Sequence, residues 1–149
     1  MRAQLFLIPV LLAVGCSASG QTDPWSGGDL LAPAQLAGRL RDPRAAKPKI
    51  YYVGFGILYR SKHIPGAEFA GPASKQEGLE LLRAAVLKQP RDRELIIYCG
   101  CCPWDHCPNL RPAFLMLREL GFKEVKVLWL PTNFAKDWID KGYPVESRQ

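Results

Sequence analysis

Apolar residues along the chain fall into short blocks separated by polar, Gly- and Pro-rich stretches. Three blocks have strand length and strand composition: Lys49 to Val53 (KIYYV), Glu94 to Tyr98 (ELIIY) and Glu124 to Leu130 (EVKVLWL). Runs this apolar and this rich in β-branched and aromatic residues predict buried strands. Glu68 to Ala70 reads as a further short strand. Between the strands, apolar residues recur at helical spacing. Pro33 to Leu40 places Leu36 and Leu40 on one face. Ser74 to Gln89 does the same with Leu79, Leu82 and Val86, and Pro90 stops it. Arg111 to Leu120 turns Phe114, Leu117 and Leu120 inward, with Gly121 as its C-terminal stop. A last helix is predicted over Asn133 to Lys141, closed by Gly142 and Pro144. Gly54 to Gly66 reads as irregular and ends in HIPG, a turn signal. Strands alternating with helices predict an α/β fold: a parallel sheet covered by helices on both faces.

The N-terminal pattern is different. Arg2 is followed by an apolar run from Leu5 to Val14 and then by small residues. That order predicts a secretory signal peptide over residues 1–19, and the run is too short for a membrane span of about 20 residues. Ala13-Val14-Gly15-Cys16 also resembles a lipobox, which would make Cys16 a lipidated first residue and the membrane a matter of a lipid anchor only. Export to the periplasm, soluble or anchored, is the expectation. Residues 20–28 (GQTDPWSGG) read as a polar linker, leaving 29–147 as one folded domain.

Composition narrows the field modestly. The chain has 149 residues, 48% apolar and 23% charged, enough to bury a core without disulfides. The net charge of +6 is spread out, and aromatics do not interleave with a basic stripe, so small anions rather than nucleic acid are the expected ligands.

The cysteines change the picture most. Cys99, Cys101, Cys102 and Cys107 lie in YCGCCPWDHCPN, directly after the ELIIY strand. A disulfide framework would spread cysteines to staple distant segments, so this clustering reads as a site. In a parallel sheet, ligands bind where strand ends meet helix starts. A sharp turn there, containing Gly100, aims backbone N–H groups and a helix dipole at one point. A thiolate at Cys99 is therefore expected to have a depressed pKa, with Arg111, Gly100 and Asn109 holding an anionic substrate. Asn109 is also an N-cap candidate. Two other chemistries stay open. Cys99-Gly-Cys-Cys102 has the spacing of thiol–disulfide exchange sites, with Cys102 or Cys107 as resolving thiol. Cys99, Cys101, Cys102, His106 and Cys107 are also a soft donor set for Cu(I) or Zn(II). No cofactor is otherwise expected.

HIPGA (63–67), IIYC (96–99), and LRELGFKEVKVLWL with DWIDKGYPV (117–130 and 137–145) together resemble the rhodanese family. The resemblance implies a rhodanese-like three-layer fold and a sulfurtransferase activity. It implies that Cys99 attacks a sulfane-sulfur donor such as thiosulfate and carries a persulfide to a thiol acceptor, with Cys101, Cys102 and Cys107 as accessory thiols. Three features depart from the family pattern. The loop from Cys99 to Arg111 is about twice the usual span. Tyr52-Val53-Gly54 stands where the family has a charged Asp-Val-Arg. Thr132 and Asn133 replace paired glycines before the last helix.

Overall fold

A computed structural model describes residues 22–147. Five strands, β1 (Leu30–Leu31), β2 (Lys49–Tyr52), β3 (Ala67–Phe69), β4 (Leu95–Tyr98) and β5 (Val125–Leu128), form one sheet in the order β1-β5-β4-β2-β3. Every neighbouring pair is parallel, and Ile50 sits opposite Ile96 while Ile97 sits opposite Val127. The strands alternate between two cores because successive side chains point to opposite faces. Tyr51, Val53, Leu95, Ile97 and Cys99 enter one core, Ile50, Tyr52, Ile96 and Tyr98 the other. The first core is completed by α3 (Gln76–Val86) and α4 (Leu110–Glu119), through Leu82, Val86, Phe114 and Leu117. The second is completed by α1 (Pro33–Arg41), through Leu36, and by Tyr59 of α2 (Gly56–Ser61) and the fully buried Trp138. The expected α/β layering is therefore present, with apolar packing on both faces of the sheet.

Helix ends follow the sequence signals. Pro33 starts α1, where its missing N–H is no loss. Gly121 follows α4 with φ of 86°, the left-handed stop. Arg39 reaches Glu94 with a two-pronged ion pair, tying α1 to the entry of β4.

Four local expectations change. Gly54–Gly66 is not irregular throughout: it contains α2, a six-residue helix that buries only Tyr59 and so shows no apolar periodicity. The edge strand β1 is two residues long, below what pattern reading resolves. The last helix is a single wide turn, Ala135–Ile139, shorter than Asn133 to Lys141. The expected linker is docked from residue 22 onward. Trp25 is 8% exposed and packs on Phe114 (5.6 Å) and Trp104 (5.8 Å). One large aromatic ring outweighs the polar composition around it. The expected signal peptide, with Cys16, lies outside the described residues. No described helix is long and apolar enough to cross a membrane.

Candidate active site

The sheet order fixes where a ligand can sit. From β2 the chain leaves to β3 on one side, and from β4 it leaves to β5 on the other. Such a divergence opens a crevice at the C-terminal ends of the two strands. Gly54 and Cys99 stand there. A Cβ on Gly54 would lie 2.7 Å from both Cys99 Sγ and Tyr52 Oη, so the glycine is what lets the sulfur and the phenol approach. The adjoining cleft, about 340 Å³, is lined in part by Cys99, Gly100, Cys101, Ser61, Lys62 and Phe134.

Three sulfurs converge beside this cleft. Cys99 Sγ is 3.2 Å from Cys101 Sγ, and the Sγ atoms of Cys99, Cys101 and Cys107 all lie within 4.8 Å of one another. Cys99 and Cys107 are buried and Cys101 is exposed. Cys102 Sγ is 3.2 Å from Cys101 Sγ but stands outside the group of three. No disulfide joins these four cysteines.

The long loop is held at several points. Gly100 has φ of 85°, and a Cβ there would meet the Phe134 side chain at 2.6 Å; its carbonyl accepts the Phe134 N–H at 3.0 Å. Glycine is required at this turn both for the dihedral and for the close approach. Trp104 opens a short 3-10 turn, Trp104–His106; its N–H donates to the Leu130 carbonyl at 3.1 Å and its ring leans on Trp25.

Asn109 is fully buried at the N-cap position of α4, yet makes no capping bond. Its Oδ1 accepts the Ser74 N–H at 2.9 Å, and its Nδ2 donates to Cys99 Sγ at 3.3 Å. It therefore positions the sulfur. The backbone N–H groups of Asn109 and Leu110, at the start of α4, favour a thiolate at Cys107, and that of Cys101 favours one at Cys99.

The charge distribution differs from a lone Cys99 thiolate. Cys99 is pushed far up, first by donating its S–H to Cys101, then by its bond to Cys107 and by burial. Cys101 is held far below the usual thiol range by S–H donors, Cys107 first and Cys99 next. The physical reason is that the nearest neighbours of Cys99 are other thiols, and the one nearest water keeps the charge. The thiols titrate as a unit rather than one by one.

Arg111 does not line the cleft. Its guanidinium donates to Asp23 Oδ1 (2.6 Å) and the Thr22 carbonyl (2.9 Å) and lies over Trp25. It fastens the N-terminal segment to α4. His106 is exposed, with Nδ1 on its neighbour Asp105 at 2.9 Å, away from the three sulfurs. His63 ties down the HIPG turn, with Nδ1 against the Tyr59 carbonyl at 2.7 Å.

Two residues were not anticipated. Tyr52 is 2% exposed and its Oη has no hydrogen-bond partner among the described residues. Burial raises its pKa further, so it is a neutral O–H donor. Lys62, at the end of α2, lines the cleft, and among the described residues no carboxylate pairs with it. The sequence signal for Tyr52 was its place one residue before Val53-Gly54 at a strand end; Lys62 gave none, because α2 itself was hidden.

No protein-family model matches the chain, and no curated protein does. Solved structures do. The Alr3790 protein from Anabaena sp. aligns at 22% identity with a TM-score of 0.59, over 79% of this chain and 92% of that one. A solution structure of the rhodanese-like domain of Alr3790 gives 24% identity and 0.58, over 80% and 79%. The BH2092 protein from Bacillus halodurans gives 20% and 0.60, over 79% and 76%. The chain has a rhodanese-like α/β fold.

Proposed function

We propose that this protein is a sulfurtransferase that carries sulfane sulfur on Cys99 from a small anionic donor, such as thiosulfate, to a thiol acceptor. The observation that supports it most is the position of Cys99 Sγ: at the end of the central strand, beside a cleft, with Cys101 Sγ 3.2 Å away. A nucleophile with a proton acceptor within reach is the working unit of covalent catalysis. The Cys99 proton passes to the Cys101 thiolate as the donor arrives. The Cys99 thiolate forms a bond to the outer sulfur of thiosulfate, and the sulfur–sulfur bond of the donor breaks to release sulfite. An acceptor thiolate then attacks the outer sulfur of the persulfide and leaves Cys99 as the thiolate again. Lys62 and Ser61 are the groups available to the sulfonate end, and the unpartnered Tyr52 O–H is available to the persulfide anion. The signal-like N-terminus would deliver this domain to the periplasm, free or anchored through Cys16.

The test is the intact mass of the reduced, metal-free protein after incubation with thiosulfate, beside Cys99→Ser. Gain of one sulfur on the wild type alone, removed by cyanide, is expected. No gain, or an equal gain on Cys99→Ser, overturns the proposal.

A second reading, thiol–disulfide exchange, is favoured by the same 3.2 Å contact. Its pair would be Cys99 and Cys101, rather than the Cys102 of the C-x-x-C spacing or Cys107. A reduction potential in the range of exchange proteins, lost in Cys101→Ser, would be its signature.

A further inference from the structure

We infer that Cys99, Cys101 and Cys107 form a three-thiolate binding site for Cu(I). Two thiolates on one ion lie about 4 Å apart, given metal–sulfur bonds of about 2.3 Å. The three sulfurs here already fall within 4.8 Å of one another, with the closest pair at 3.2 Å, so small side-chain adjustments bring them around one ion. They come from a loop that is pinned at Gly100 and Trp104 and capped by a buried helix start, so the cluster is preorganised.

The donor set selects the ion. Thiolates prefer soft cations. Zn(II) takes four ligands in closed sites; here His106 is turned outward to Asp105, and Cys102 Sγ, though 3.2 Å from Cys101 Sγ, does not come within 4.8 Å of all three sulfurs. A trigonal sulfur set suits Cu(I). Two sulfurs are buried and the third is exposed, which shields the ion and leaves one route of entry.

The surroundings supply what a bound Cu(I) needs. Three thiolates and one monovalent cation leave excess negative charge, which N–H and O–H donors must offset. Asn109 Nδ2 donates to Cys99 Sγ at 3.3 Å, and the Cys101 N–H favours negative charge there. The Asn109 and Leu110 N–H groups at the start of α4 favour negative charge on Cys107. Tyr52 Oη, buried and without a partner, stands beside Cys99 Sγ across Gly54. A metal-bound thiolate at Cys99 gives that phenol an acceptor. Binding is acid–base chemistry only: thiol protons go to solvent as Cu–S bonds form, and no electron moves.

This site goes beyond sulfur transfer and does not rest on it, because copper uptake is read whether or not Cys99 takes up sulfur. The experiment is an anaerobic titration of the reduced protein with Cu(I) held by bathocuproine disulfonate, followed by X-ray absorption on the loaded protein. One equivalent withdrawn from the chelator, with three sulfur neighbours and no imidazole, is the expected result. Cys102→Ser and His106→Gln should bind as the wild type does. Cys101→Ser, an exposed change that leaves the core intact, should lose the ion. Tyr52→Phe should bind about tenfold more weakly, the effect of removing an outer donor. Failure to withdraw Cu(I), unchanged binding by Cys101→Ser, or a four-ligand Zn(II) site that includes His106 and outcompetes Cu(I) would each overturn the inference.

Discussion

Gly54 shows how one missing side chain shapes the site. Gly54→Ala would place a methyl 2.7 Å from both Cys99 Sγ and Tyr52 Oη, so either the sulfur or the ring must move. Overpacking of this kind costs about 1–3 kcal/mol. The expected outcome is a lower unfolding midpoint in denaturant together with slower sulfur uptake at Cys99. A variant with unchanged uptake would mean that the sulfur has freedom the packing denies. The thiols give a second prediction. A lowered pKa keeps a thiolate present below the usual thiol range, so Cys101 should react with iodoacetamide at about pH 6, where an ordinary thiol is protonated. Cys99, shifted up and buried, should react later. Peptide mapping decides the order, and alkylation of Cys99 first at that pH would contradict the charge distribution. The sequence made the cysteine cluster and Asn109 legible as a site. It did not show that Asn109 would turn from capping to holding the sulfur, because that depends on Ser74, thirty-five residues away in the chain.

At the scale of elements, the strongly patterned pieces were legible and the weakly patterned ones were not. The three apolar strands and the helices with a repeating buried face appear as expected. α2 escaped because only Tyr59 of its six residues is buried, and β1 because it pairs over just two residues at the sheet edge. The segment around Trp25 escaped because a lone aromatic carries no period. It matters for the long loop, since Trp25 packs between Trp104 of that loop and Phe114 of α4. Removing a buried Trp costs about 3–5 kcal/mol. Trp25→Ala should therefore lower the unfolding midpoint and raise the hydrogen-exchange rate of residues 102–107. Arg111→Ala should do less, about 1 kcal/mol, because a partly exposed ion pair contributes little. Its affinity for thiosulfate should match the wild type, since the guanidinium faces Asp23 and not the cleft. A large rise in KM for that variant, with the fold intact, would restore Arg111 to substrate binding.

Across the whole molecule, the order of strands does what no single motif could announce. Alternating strands and helices predict a parallel sheet, but they leave open which strands are neighbours. In this fold β4 lies between β5 and β2, and each of its four side chains is fully buried. The chain leaves β2 toward β3 and leaves β4 toward β5, in opposite directions, which opens the crevice between their ends and puts Cys99 there as the next residue. A central strand has both hydrogen-bonding edges paired and both faces covered, so its amides open only when the domain unfolds globally. Hydrogen exchange followed by mass spectrometry should find residues 95–98 among the slowest in the chain. The short edge strands β1 and β3, with one side unpaired, should exchange sooner. Equal rates at the centre and the edge would mean that the sheet order is different. The slow centre also suits the proposed sulfur transfer: a sulfur that directly follows a strand buried on both faces keeps its place beside the cleft.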